Sequence, residues 1–176
     1  KPSKIAIWQQ QLTEKALRLT GFEPNTAAEA LIPKGMSRFY LDEAESLQAC
    51  IPGAGGVFTA RSLAKIYAAL ANHGEIDGVR LLSEKTVGEL VKVQNRNRGD
   101  VVPMAMHWRL GYHRVFTTWP KTPYAFGHFG YGGSGAWADP SRHLAVGFIV
   151  NTGSGSPFAD LRIWKINTAI IEAVGG

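Results

Sequence analysis

The chain has 176 residues, 45% of them hydrophobic, enough for one compact domain or for a substantial piece of a larger one. Its one cysteine, Cys50, excludes an internal disulfide and a cysteine-rich zinc site. The net charge of +5 includes one dense basic patch, Arg96-Asn97-Arg98. That patch reads as a solvated loop, and with no Lys/Arg stripe and no recognition motif, nucleic acid is not an expected partner.

The first residues, Lys1-Pro2-Ser3-Lys4, hold no initiator methionine, and Ile5-Ala6-Ile7-Trp8 is too short for a signal peptide. No run approaches the roughly 18 apolar residues of a membrane span. The start is therefore expected to be a processing or proteolysis boundary. Leu12, Ala16 and Leu19, with Gly21 behind them, predict a helix over 9–19. Pro24 and Pro33 break the next stretch, and 37–50 is ambiguous, best matched by a strand followed by a loop.

Ile51-Pro52-Gly53-Ala54-Gly55-Gly56 is a glycine-rich turn. Thr59 is placed to cap a helix whose buried stripe would be Leu63, Ile66, Tyr67 and Leu70. Asn72-His73-Gly74 ends it, with Gly74 suited to the left-handed position. A turn at Gly78 leads to Leu81-Leu82, and Ser83 caps a second helix burying Val87, Leu90 and Val91. Residues 95–100 form a polar loop.

The second half changes character. Residues 108–116 and 124–128 read as strands, and 133–138 and 143–151 as a hairpin around Asp139-Pro140-Ser141-Arg142. Leu144 to Val150 is almost continuously apolar, which predicts a central strand buried on both faces. A last helix would have Leu161, Trp164, Ile166, Ile170 and Val174 as most of its apolar positions. The expected architecture is α+β, an antiparallel sheet flanked by helices.

Three segments together resemble the class C β-lactamase, penicillin-binding-protein and esterase superfamily. They are Pro52-Gly53-Ala54-Gly55-Gly56-Val57-Phe58-Thr59 with the helix that follows, Leu81-Leu82-Ser83 through Val87, and Gly127-His128-Phe129-Gly130-Tyr131-Gly132-Gly133-Ser134 followed by Trp137-Ala138-Asp139-Pro140. The last is similar to the family's third active-site motif, a Lys/His-x-Gly strand. The resemblance covers roughly residues 31 to 174 and implies that 1–176 is the C-terminal part of a serine hydrolase domain. The part bearing the nucleophile would lie elsewhere. Such an enzyme acts through an acyl-serine intermediate on a small ester, amide or lactam, with no metal or organic cofactor. The family's Ser-x-x-Lys and Tyr-x-Asn motifs precede the third motif, so a companion N-terminal segment carrying them is the expected partner.

By the same resemblance, the N–H of Tyr131 would serve the oxyanion hole, where one preorganised donor contributes about 2.7–4 kcal/mol. His128 would orient or polarise the substrate, and Phe129, Gly130, Gly132 and Ser134 would contact it. Gly130 fits a close approach that a side chain would block. A free histidine is mostly neutral at pH 7 and holds a carboxylate less strongly than lysine does. This favours an esterase over a β-lactamase or D-peptidase.

Other motifs weigh less. Ser62-Leu63-Ala64-Lys65 has Ser-x-x-Lys spacing in the first turn of a helix. It lies inside a segment matching another part of the family, so a polar helix face is the simpler reading. Gly130 to Gly135 matches G-x-G-x-x-G, but strand and turn follow where a dinucleotide site needs a helix. Ser134 lacks the last glycine of a nucleophile elbow. The five histidines show no metal spacing. Trp137 would line the acyl pocket or pack in the core. A non-catalytic scaffold or regulatory domain is the competing reading.

Overall fold

The computed structural model describes residues 15, 18, 19, 26, 29, 30, 35, 43–53, 55–99, 101–102, 104–119, 121–130, 132–152 and 161–175. It divides into two compact units, Lys1–Val57 with Asn97–Ala105, and Phe58–Arg96 with Met106–Gly176. The helix expected over 9–19 lies largely outside the described residues. In the first unit, α1 (Ala44–Gln48) replaces the strand and loop expected there. Its residues, Ala-Glu-Ser-Leu-Gln, include no β-branched side chain and no glycine, so nothing local opposes a helical turn. The turn at Pro52-Gly53 forms as expected.

The second unit opens with α2 (Ala60–Ala71). The Thr59 hydroxyl accepts from the Ser62 N–H at 3.1 Å, and the Ser62 hydroxyl accepts from the Thr59 N–H at 3.0 Å. This reciprocal box satisfies two of the donors a helix start leaves open. Thr59→Ala is expected to lower the stability of the chain by about 1 kcal/mol, read as a shift of the urea midpoint at constant slope. Tyr67 and Leu70 are buried as expected, but Ile66 is 42% exposed, and the buried face runs instead through Ala69 and Ala71.

The hairpin of β1 (Glu75–Ile76) and β2 (Val79–Arg80) turns through Asp77 and Gly78. Their φ angles of 51° and 75° suit the two-residue turn that matches strand twist. Helix α3 (Glu84–Val91) follows, its Ser83 hydroxyl accepting from the Thr86 N–H at 3.1 Å, with Val87 and Leu90 buried.

The main sheet is antiparallel, in the order β3 (His113–Arg114), β4 (Phe126–Phe129), β5 (Gly135–Asp139) and β6 (Leu144–Phe148). The strand expected over 108–116 is only two residues long. Ahead of it the Arg109 N–H bonds the Tyr112 carbonyl at 2.8 Å, closing a turn. The buried Arg109 side chain ties that turn to the Val91 carbonyl at 2.9 Å and the Pro123 carbonyl at 2.8 Å. The most buried strand is β5, not β6. Ala136, Trp137, Ala138 and Asp139 are at most 1% exposed, while every residue of β6 is half-buried. Among the described residues β6 is an edge strand.

Alternation along the strands builds two cores. Ala136, Ala138 and Ala145 face Tyr67, Leu70 and Leu90 of α2 and α3. These small side chains let the helix come close. At Gly147 an added Cβ would collide with the Ala60 carbonyl and lie 2.8 Å from the Ala64 nitrogen. On the other face Trp137 packs with Val115, Ala125 and Ile171, the last from α4 (Leu161–Ala173). Helix α4 buries Ile163, Asn167, Thr168 and Ile171, and its Leu161 is 67% exposed. The predicted α+β layout stands, with helices on both faces of one antiparallel sheet.

Candidate functional site

The His-x-Gly segment lies at the end of β4. Phe126, Gly127, His128 and Phe129 pair with Ala138, Trp137, Ala136 and Gly135 of β5. Gly127 is required by the fold, because a Cβ there would run into the Ala136 carbonyl and the Trp137 side chain. Gly130 is different. A Cβ there would meet only the Ser134 carbonyl, at 3.8 Å, so the chain itself makes no steric demand for glycine at that position.

Beyond β4 the backbone reverses tightly. The Gly130 N–H donates to the Ser134 carbonyl at 2.8 Å, and the Gly133 N–H to the Gly130 carbonyl at 3.1 Å. Gly132 and Gly133 have φ of 90° and 105°, values that a side chain at either position would strain. The Ser134 hydroxyl accepts from the Val150 N–H at 3.0 Å, joining the loop to the residues after β6. Ser134 is half-buried, and both Gly132 and Gly133 are buried. Tyr131 lies outside the described residues.

His128 is exposed. The protein packed against part of its ring lowers its pKa below the ordinary imidazole value, through loss of hydration of the charged form. It is therefore neutral at pH 7. Beside it lies His113, a residue expected only to fill a strand. Their ring centroids are 5.2 Å apart. His113 is 3% exposed, and burial pushes its pKa down to about 4. The His128 imidazole and the guanidinium groups of Arg109 and Arg114 add to that lowering, while the Arg114 carbonyl opposes it. The His113 Nδ1 lies 2.7 Å from that carbonyl, and the Phe129 N–H reaches its Nε2 at 3.3 Å. A strand pattern alone gives no sign of this arrangement, because both partners are main-chain atoms.

Ser62 and Lys65 are each engaged with other partners. The Ser62 hydroxyl is committed to the helix cap and donates to the Thr59 carbonyl at 3.0 Å. The Lys65 ammonium pairs with Asp77 at 2.6 Å. Trp137 belongs to the core rather than to a pocket wall. It is fully buried, and its indole N–H donates to the Asn167 carbonyl oxygen at 2.9 Å. No group of three or more metal-ligating side chains occurs among the described residues.

The antiparallel sheet with helices on both faces, carrying a His-x-Gly segment at the end of β4, is of the β-lactamase and transpeptidase type. The chain belongs to the β-lactamase family, whose model matches residues 8–169. It is 44% identical over 116 residues to the esterase/beta-lactamase LipL of Mycobacterium tuberculosis, covering 62% of this chain and 25% of that protein. Among solved structures, a penicillin-binding protein homologue from Caulobacter crescentus superposes with a TM-score of 0.72 at 31% identity, covering 86% of this chain and 41% of that one. A family VIII carboxylesterase superposes with a TM-score of 0.53 at 32% identity, covering 60% of this chain and 30% of that one. The chain thus spans less than half the length of each of these relatives.

Proposed function

We propose that this chain is the C-terminal part of a serine hydrolase domain that cleaves small esters through an acyl-serine intermediate. The observation that carries this is the exposed, neutral His128 at the end of β4, followed by a glycine the fold does not itself require. An external acyl group approaching the strand edge would supply the missing reason for Gly130. His128 orients that group, and Phe129, Gly132 and Ser134 shape the loop around it. The N–H of Tyr131 serves the developing oxyanion. The nucleophilic serine and its lysine come from a companion segment, in keeping with the fraction of each relative that this chain spans.

A neutral imidazole gives an anionic substrate no full countercharge. This supports an ester over a carboxylate-bearing lactam or peptide, as does the name of one relative, the family VIII carboxylesterase. Intact mass after treatment with a serine-directed fluorophosphonate tests the reading, on this chain alone and on a preparation containing the longer polypeptide. The expected adduct lies on a serine outside this chain. An adduct on Ser62 would make the chain an enzyme by itself, and none on either folded protein would leave a non-catalytic domain. His128→Lys is expected to move preference toward anionic substrates, read as the ratio of kcat/KM values for a neutral and a carboxylate-bearing ester.

A further inference from the structure

On one side β4 pairs with β3 through Phe126 and Gly127, which face Arg114 and His113, and on the other it pairs with β5 along all four of its residues. Phe129 lies two residues past Gly127, beyond the pairing with β3. Strand β3 contributes only His113 and Arg114 to this pairing, yet the Phe129 N–H is not left open. It is taken by a side chain, the His113 imidazole, at 3.3 Å.

That contact fixes the chemistry of the ring. Phe129 N–H is a donor, so Nε2 must accept. Nδ1 then carries the proton and donates it to the Arg114 carbonyl at 2.7 Å. Both nitrogens are committed and the ring is buried. His113 therefore has no free lone pair with which to take a proton from a nucleophile. A second proton would set N–H against N–H at Phe129, with Arg109, Arg114 and His128 as the charged or titratable groups near the ring. Trp108 and Phe116 hold the imidazole in place, at centroid distances of 5.8 Å each.

We propose, on the hydrolase reading above, that His113 is a positioning residue. Locked in the Nδ1–H tautomer, it closes the edge of β4 at Phe129 and holds His128 and the following loop at the height where the acyl group docks. The edge offered to a substrate then begins after Phe129. The ester sits beside His128 instead of sliding back along the strand.

Two measurements on the longer polypeptide test this. Long-range ¹⁵N–¹H correlation spectra of histidine-labelled protein should show His113 neutral and protonated at Nδ1 from pH 7 to pH 5. An Nε2–H tautomer, or titration in the ordinary imidazole range, overturns the lock. His113→Phe keeps an aromatic ring but removes the acceptor, and should lower kcat/KM for an ester by about 10- to 100-fold. His113→Gln, whose amide can accept from Phe129 and donate to Arg114, should restore most of the loss. Thr59→Ala controls for lost stability alone and should leave kcat/KM unchanged. Wild-type kinetics in His113→Phe, with the serine still labelled by fluorophosphonate, would overturn the positioning role. Failure of the wild-type protein to be labelled or to hydrolyse esters would instead sink the hydrolase reading, and the spectra would still decide the edge lock.

Discussion

Trp137→Ala should destabilise the chain by about 3–5 kcal/mol, the range for deleting a large buried aromatic. Trp137 is 0% exposed and sits between Val115, Ala125 and Ile171, where neighbours can collapse only partly into the space. The substitution also strips the Asn167 carbonyl oxygen of its indole donor, and this orphaned buried acceptor accounts for about 1–3 kcal/mol of that loss. Against a total stability of about 5–15 kcal/mol for a typical domain, this removes a large part of the margin. Trp137→Phe separates the two contributions. It keeps most of the ring volume and loses only the N–H, so it should cost about 1–3 kcal/mol. Urea midpoints of the two variants measure this. Equal losses would mean that the hydrogen bond, not the packing, carries the site.

Acid should weaken the fold through His113. An unfolded histidine titrates near about 6.5, whereas His113 in the fold is held down to about 4. Between these values the unfolded chain binds a proton that the folded one refuses, so stability rises with pH across the window. The stabilisation is complete above the unfolded pKa and is lost as pH falls from about 6.5 through about 4. The separation corresponds to about 3 kcal/mol. His113→Phe and His113→Gln remove the titrating group, and each should flatten the stability profile over that window. Unfolding free energies from pH 7 to pH 4 give the comparison. A wild-type slope unchanged by both substitutions would assign the acid sensitivity to other groups.

The local punctuation of this chain was legible because it depends on neighbours in sequence. Thr59 and Ser83 cap their helices, Gly74 has φ of 97°, and the Arg142 N–H bonds the Asp139 carbonyl at 3.1 Å to close the turn between β5 and β6. The family resemblance drawn from the segments around Gly56, Ser83 and His128 is upheld by the match over residues 8–169. Strand order was not legible. The apolar run from Leu144 to Val150 announces burial but not which strands lie inside, and β4 and β5 hold those places, β5 with alanines and one tryptophan. Buried polar residues also escaped. Asn167 bonds Trp137 and, at 3.1 Å, the Phe116 carbonyl, and Arg109 bonds Val91 and Pro123. Each looks like a surface residue until its distant partner is known. Of the candidate site, the sequence marks His128 and the glycines, which are defined by type. It does not mark His113, which is defined by what its two nitrogens meet.

Asn167 accepts from the indole of Trp137 on β5 and donates to the carbonyl of Phe116 beyond β3, so one side chain of α4 clamps two separate parts of the sheet. Strand β4, which carries His128, lies between β3 and β5. Helix α4 and the sheet therefore behave as one cooperative unit in native-state fluctuations, since peeling the helix away unpairs a buried amide and uncovers Ile171 together. The strand that carries His128 is thereby anchored from behind by residues about 40 positions further along the chain.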